Sequence, residues 1–412
     1  MTGVLSDEQT VISPPGEESW RDVIHELAAF ERPSASDGER RAAELIAERF
    51  RAFDLPAAIE QEQAHGGYWW PLGLANGIAA LGAALALRQR GAAARIAGAL
   101  AGAAGAAAVW DDVNGGQLRF RRALLRHRPT WNVVATAGDA NAERTLIVVA
   151  HHDAAHSGLV FHPALGRIGP KLAPRAFARA SHTFPIMQTV WGGPLMVLAG
   201  ASLGIRRVIR SGLVLSLGTV AAMADIGARK AVPGANDNLS AVAVLVALAE
   251  RLRDRRVEGL RVLLVSTGSE ESFMEGMQGF ARRHLSTLDP ALTEVLCLEC
   301  LGGPTMLVLE GEGMLVMRDY PVHMREELAG AAREAEVEVQ RGLRTVAATD
   351  GLISMRAGFP TVTLASIDET FLPLNYHWPS DTPEALHWNT VEQAIEVTEC
   401  FVRRRAVGGD AT

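Results

Sequence analysis

Histidine and carboxylate side chains recur at five places where an apolar run gives way to polar residues. AHHD (150–153) ends the run TLIVVA, GANDN (234–238) precedes an apolar helical stretch, and GSEE places Glu270 and Glu271 after LRVLLVST. Glu299 closes EVLCLE before Gly302 and Gly303, and NYHWPSDTPE brings His377 and Asp381 after TVTLAS. Taken singly each is ordinary: a lone histidine is usually satisfied structurally, a glutamate pair is usually a solvated face, and Asp237 can cap a helix. Their recurrence at successive strand ends is what points to chemistry. Imidazole with carboxylate is the ligand mix of zinc sites that keep positions open for water. A carboxylate can bridge two divalent ions about 3.5–4 Å apart. Of two adjacent glutamates, one can ligate while the other stays free as a base.

The elements that must position these residues are legible as patterns. Residues 145–150, 260–267, 294–300 and 361–366 read as buried strands, and 19–53, 238–252 and 322–336 carry helical periodicity. Short apolar runs separated by helices predict an α/β fold with a mixed, mostly parallel sheet covered by helices on both faces. Sites in such sheets lie at the carboxyl ends of the strands. The chain has 412 residues, 48% apolar and 21% charged, which excludes global disorder. Its net charge of −7 argues against a nucleic-acid partner. Three cysteines exclude a disulfide-stapled fold, and the CxxC pair Cys297 and Cys300 falls in a predicted strand and reads as packing. His152, His156, His162 and His182 read as loop residues. The first 30 residues carry Asp7, Glu8, Glu17 and Glu18 and no apolar core, so no signal peptide is predicted.

The mean hydropathy of +0.09 is raised by two blocks, 68–110 and 186–226. Each reads as two apolar helices joined by an arginine-bearing turn, RQRGAAAR in the first and RRVIR in the second. A bilayer span needs about 20 apolar residues; the second and fourth segments reach it if Arg95 and Arg210 snorkel. Trp69, Trp70 and Trp110 stand where an aromatic belt would place them, and Gly73/Gly77 and Gly98/Gly102 suit close helix packing. The alternative is a pair of Ala/Gly-rich hairpins forming a soluble lid or dimer arm. The tips carry Arg88, Arg90, Arg95, Arg206, Arg207 and Arg210. More basic residues, among them Arg119, Arg121, Arg122, Lys171 and Lys230, flank the other ends, which inclines the catalytic part toward the cytoplasm of a bacterial-type inner membrane.

The five polar elements, in this order, resemble the di-zinc aminopeptidases of metallopeptidase family 28. The family pattern runs AHxD, a GxNDN or GADDN turn, an EE pair, a strand-end acid before xxG, and a late YHxxxDT. The resemblance covers about residues 19–66, 128–160 and 230–405. It implies a zinc exopeptidase fold of the phosphorylase/hydrolase-like kind, with two zinc ions (Zn2+) per chain held by His151, Asp237 as the bridge, Glu271, Glu299 and His377. By the same match Glu270 is the general base and Asp153 orients His151. Tyr376 either donates to a developing oxyanion or packs. The implied activity is removal of N-terminal residues from peptides. A carboxypeptidase, with Arg341 and Arg344 as candidates for a basic pocket, a one-zinc glutaminyl cyclase and a non-catalytic membrane binding protein are the alternatives; oligomeric state is left open. The peptidase domain is expected to be assembled from 1–66, 111–185 and 227–412, interrupted by hairpin insertions at 67–110 and 186–226. Three features depart from the family pattern. Glu299 replaces the usual aspartate. TDGLISM (349–355) replaces SDHxPF, leaving Asp350 a structural residue. Residues 154–236 stand where the family has a short loop.

Overall fold

The computed structural model describes residues 19–89, 91–114, 118–177 and 179–407. The acidic residues of the N-terminal segment and Arg90 lie outside them. Among the described residues ten strands occur: β1 (Ala57–Ala64), β2 (Arg128–Gly138), β3 (Thr145–His151), β4 (Arg261–Thr267), β5 (Thr293–Glu299), β6 (Thr305–Val308), β7 (Gly311–Glu312), β8 (Arg318–Asp319), β9 (Arg344–Thr345) and β10 (Thr361–Ile367). Seven form one sheet in the order β1-β2-β4-β3-β5-β10-β6. Its centre, β4-β3-β5-β10, is parallel, and β1, β2 and β6 add antiparallel edges. Every residue of β3 and β10 is buried, as a parallel sheet covered on both faces requires. The parallel strands therefore deliver His151, Thr267, Glu299 and Ile367 to one edge. A small second sheet, β8-β7-β9, escaped the sequence reading because its two-residue strands carry no periodicity.

Helices α1 (Ser19–Ala28) and α2 (Asp37–Ala52) begin the described chain, and α3 (Trp69–Arg88), α4 (Ala92–Val113) and α5 (Arg119–Leu124) precede the sheet centre. Three short turns, α6 (Pro163–Gly166), α7 (Ile168–Leu172) and α8 (Pro174–Phe177), lead to α9 (Ile186–Leu203) and α10 (Arg206–Ala228). The remainder are α11 (Ser240–Asp254), α12 (Glu275–Arg283), α13 (Val322–Glu334), α14 (Asp350–Arg356) and α15 (Trp388–Val407). One face of the sheet packs on α1, α2, α11, α13 and α15. The other packs on α12, α14 and the near ends of α3, α4, α9 and α10, through residues such as Leu72, Val109, Val190 and Met223.

Those last four helices form a bundle in which α3 and α9 each lie against α4 and α10. All four are long and apolar enough to cross a membrane by length and composition. Their outward positions stay apolar: Leu81 is 74% exposed and Val214 68%. The turns differ from the sequence reading. RRVIR is not a turn; Arg206–Arg210 opens α10, and Gly204 with Ile205 makes the reversal. Arg95 lies in the first turn of α4 and donates to the carbonyls of Ala201 (3.1 Å) and Ser202 (2.9 Å), covering the carbonyl end of α9. Of the belt tryptophans, Trp70 is exposed and Trp110 packs on Trp191 at 5.2 Å, but Trp69 turns inward onto His156 at 4.5 Å.

Small residues let these helices approach, though not at all of the expected positions. A Cβ on Gly102 would lie 2.5 Å from the Leu198 backbone nitrogen, whereas one on Gly77 would meet nothing within 4 Å. Gly73 and Gly77 are therefore not a packing pair, while Gly98 and Gly102 are. Gly102→Val should lower the thermal midpoint by the equivalent of about 1–3 kcal/mol, the usual cost of overpacking. Gly77→Ala should raise it slightly, because alanine is favoured over glycine in a helix by about 1 kcal/mol. Melting of the detergent-solubilised variants checks both.

Candidate metal centre

The GANDN turn is shaped by its two asparagines, which leaves the aspartate between them free to point into the cleft. Asn236 donates to Leu374 O (3.1 Å) and accepts from Gly302 N (2.8 Å). Asn238 donates to Leu298 O (3.0 Å) and accepts from Cys300 N (2.8 Å). Asp381 accepts from the backbone N–H groups of Asn236 (2.7 Å) and Asp237 (3.1 Å). Burial pushes the Asp381 carboxyl up to about 7. The peptide between Asp237 and Asn238 is cis. Gly234 has φ +61, and a Cβ there would come 2.6 Å from an Arg32 guanidinium nitrogen and from Asp237 O. Only glycine suits that position.

The GSEE turn is held in the same manner. Asp153 accepts from Glu270 N (3.0 Å) and Glu271 N (3.1 Å), with Ser34 Oγ donating to it at 2.6 Å. Its carboxylate is 3.4 Å from His151 Nδ1, and its backbone oxygen is 3.2 Å from the same nitrogen. Asp153 thus faces the imidazole and also carries the glutamate turn. The sequence reading missed Glu39. Its carboxylate accepts from Ala35 N (2.7 Å), Thr130 Oγ1 (2.6 Å), Ser269 N (3.0 Å) and Ser269 Oγ (2.9 Å). Ser269 has φ +51, a conformation costly for a side-chain-bearing residue, and these bonds hold it there. Burial and the nearby Asp153 push Glu39 up to about 8, against its hydrogen bonds. Its one sequence signal was Ser36-x-x-Glu39, the pattern of a helix capping box. Ser36 does accept from Glu39 N at 3.1 Å, but the glutamate reaches past the helix to the site. Arg32, also missed, is fully buried. It donates to His152 O (2.8 Å) and Gly234 O (2.7 Å), tying the AHHD strand end to the GANDN turn. Burial lowers its pKa to about 10, against the neighbouring acids.

These supports bring His151, Asp237, Glu270, Glu271, Glu299 and His377 together. Asp237 Oδ1 is 3.2 Å from His151 Nε2, and Oδ2 is 3.3 Å from His377 Nε2. Glu271 is 3.2 Å from His377 Nε2, while Glu299 and Glu270 stand 3.6 and 3.9 Å from His151 Nε2. Ligand atoms of His151, Asp237 and Glu271 lie within 4.8 Å of one another, as do those of Asp237, Glu299 and Cys300. Both groups contain Asp237. Cys300 differs from the sequence reading: it lies just past β5 with φ +51, and its Sγ is 3.2 Å from Glu299 Oε1. Burial and these acids hold its thiol protonated.

The residues fit divalent cations. His151 Nε2 and Glu271 Oε1 are buried without a hydrogen-bond partner. Burial lowers the basicity of both imidazoles, yet the surrounding acids outweigh it: His151 is raised well above its ordinary value and His377 to about 10. Asp237 falls below the carboxylate range; burial opposes this and the two histidines outweigh it. Protons on imidazole thus balance the crowded acids, and that is the charge cations would bring. Glu270 is raised well above the carboxylate range by burial and then by Glu271, Glu299 and Asp350. Tyr376 stacks on His377 with ring centroids 3.8 Å apart, and Phe161 meets the same ring edge-on at 4.5 Å.

The remaining candidates stand elsewhere. His152 bonds Ser266 Oγ (2.9 Å), His156 the Arg229 carbonyl (2.6 Å), and His162 the Ala164 N–H (3.1 Å); His182 bonds Ser181 Oγ (2.9 Å). Arg341 pairs with Glu310 and Glu326, and Arg344 with Asp319. A cavity of about 530 Å³ opens at the centre, and among the described residues lining it there is no arginine or lysine. Asp350 is buried, bonded by Thr267 Oγ1, and burial raises it to about 7.

Behind Asp350, Glu312 is buried and accepts from Thr349 N (2.6 Å) and the Tyr320 hydroxyl. Burial pushes it up to about 8. An unfolded glutamate titrates near 4.3. Between about 4.3 and 8 the unfolded chain releases a proton that the folded chain keeps, so this group's contribution to stability falls as pH rises, at up to about 1.4 kcal/mol per unit. Glu312→Gln, whose amide can donate to the hydroxyls, removes that slope. Its melting temperature relative to the unsubstituted protein should rise steadily from pH 4.5 to pH 8; a constant difference would contradict the assignment.

Residues 218–402 match the family model of peptidase family M28. The match takes in Asp237, Glu270, Glu271, Glu299 and His377 and begins after the AHHD strand end. No curated protein sequence matches the chain. Among solved structures, an aminopeptidase from Aneurinibacillus sp. strain AM-1 superimposes with a TM-score of 0.55 at 13% identity, covering 95% of this chain and 94% of that one. A zinc aminopeptidase from Bacillus subtilis gives 0.54 at 14% identity, covering 96% of each chain. A glutaminyl cyclase from Bacteroides thetaiotaomicron, bound to N-acetylhistamine, gives 0.55 at 12% identity, covering 95% and 99%. These likenesses establish the zinc exopeptidase fold.

Proposed function

We propose that this chain, a metallopeptidase of the M28 type, is a two-zinc exopeptidase that removes N-terminal residues from peptides. The observation that carries the reading is Asp237, one oxygen facing His151 and the other His377. A bridging acid between two imidazoles supports two ions in preference to the single zinc of a cyclase. His151, Asp237, Glu271, Glu299 and His377 would hold them. Zinc bound there would supply a polarised amide carbonyl and a water acidified toward neutrality.

The protein's own groups supply the rest. Glu270, protonated easily because it is buried among acids, takes the water proton and returns it to the leaving nitrogen. Asp153 fixes the backbone of Glu270 and Glu271 together, so base and ligand keep their relative places. The carboxylates at the cleft suit a substrate ammonium. Among the described residues the lining has no arginine or lysine for a substrate carboxylate, and Arg341 and Arg344 are engaged elsewhere, which weighs against the carboxypeptidase alternative.

Glu270→Gln should retain its zinc and lose about 10²–10⁴-fold in turnover of aminoacyl nitroanilides; near-normal turnover would remove the base assignment. Asp237→Ala should lower the zinc content of the purified protein, measured by elemental analysis. The bundle is proposed as a membrane anchor, supported by four helices of spanning length and their apolar outward residues. By the arginine asymmetry the sheet faces the cytoplasm. Carbonate washing should leave the protein in the membrane pellet; recovery in the supernatant would refute the anchor.

A further inference from the structure

The cavity at the metal centre does not end at the sheet. It continues along the bundle, lined on α9 by Ile186, Met187 and Val190 and on α10 by residues from Ile226 back to Val214. The step from Val214 to Ile226 is twelve residues (226 − 214), about 18 Å of helix axis at 1.5 Å per residue. That exceeds any single side chain. Its far end, at Val214, Leu215 and Gly218, is exposed on the flank of helices long and apolar enough to cross a bilayer. Gly218 sits within α10, where glycine is disfavoured, and a Cβ there would meet nothing within 4 Å. The groove is open at that point because no side chain fills it.

The wall chemistry selects the occupant. An extended peptide would need about five residues to span 18 Å, and each would bring a backbone N–H and C=O into an apolar channel. Along α9 and α10 the lining side chains offer only the hydroxyls of Thr189 and Thr219, so most of those groups would go unpaired at a cost of a few kcal/mol each. A hydrocarbon chain carries no such groups. At the catalytic end, Asp237, Glu270, Glu271 and Glu299 line the cavity, with no arginine or lysine among the described residues there, which favours a cationic head.

We infer that the site hydrolyses an amphiphilic amide: a free amino group at the polar end, beside the carboxylates, and one aliphatic chain lying in the α10 groove and entering from the bilayer. This rests on the exopeptidase reading and names its substrate class. Water oxygen bonds to the amide carbon, the carbon–nitrogen bond breaks, and a water proton leaves with the long-chain amine.

The test uses the full chain in bilayer nanodiscs. In metal-stripped Gly218→Cys, maleimide labelling above the background of the native cysteines should slow at least tenfold with glycyl tetradecylamide. Glycyl butylamide and an apolar pentapeptide amide should leave it unchanged. With zinc bound, kcat/KM of the unsubstituted protein should rise at least tenfold from the butylamide to the tetradecylamide, and Gly218→Leu should flatten that rise. Equal protection by the pentapeptide, or no protection by the tetradecylamide, overturns the inference. So does a flat chain-length profile alongside normal turnover of short aminoacyl amides. Protection without turnover of any amide would uphold the groove and refute the hydrolase reading instead.

Discussion

Four carboxyl groups, those of Asp237, Glu270, Glu271 and Glu299, are crowded against two imidazoles in a place largely closed to water. Like charges at such distances repel strongly in a low-dielectric setting. The arrangement exists only because positive charge interleaves with it and because the backbone beneath is tied down. Besides Glu39, which holds Ser269, further buried groups do that tying. Asp153 carries the glutamate turn, Asp381 carries the NDN turn, and Arg32 spans from the AHHD strand end to Gly234. None needs to touch a substrate, yet each fixes a backbone on which a ligand or the base depends.

The same logic explains how the chain between His151 and Asp237 can be long without loosening the centre. The insertion leaves and returns through a short zipper. Val232 N donates to Ala155 O (2.9 Å), Ser157 N donates to Lys230 O (3.1 Å), and His156 bridges antiparallel to Ala231. At the foot of α10, Asp225 accepts from Leu159 N (2.6 Å) and pairs with Arg229. Seen from the sheet, the excursion is closed at its neck, so its length costs little in positional precision at either ligand. Loop-closure entropy grows slowly with length, which permits such insertions once the ends are pinned.

The neck also makes the bundle part of the cleft. Its near ends share a core with one face of the sheet, and Tyr68, at the start of α3, stacks on Phe273 just beyond the glutamate pair. Helices of membrane-spanning length therefore form one wall of the cavity whose opposite wall carries the acids. Apolar residues of α10 and the acids of the centre thus line one continuous cavity.

The sequence by itself determined the α/β class, the parallel strands at 145–150, 260–267, 294–300 and 361–366 to within a residue or so, and the histidines and acids that the fold gathers, because local periodicity and residue type are written in adjacent positions. Tertiary structure alone decided which buried groups support them. Neither Glu39 nor Arg32 stood out in the sequence. The partners that tie them to the site, Ser269 and Gly234, lie about two hundred residues away, a separation that no local pattern encodes. It likewise decided that Gly98 and Gly102 pack while Gly73 and Gly77 do not, that Arg95 covers the end of α9, and that Cys300 turns its sulfur toward Glu299. Each outcome depends on which face of an element meets a neighbour, and that is settled only when the elements come together.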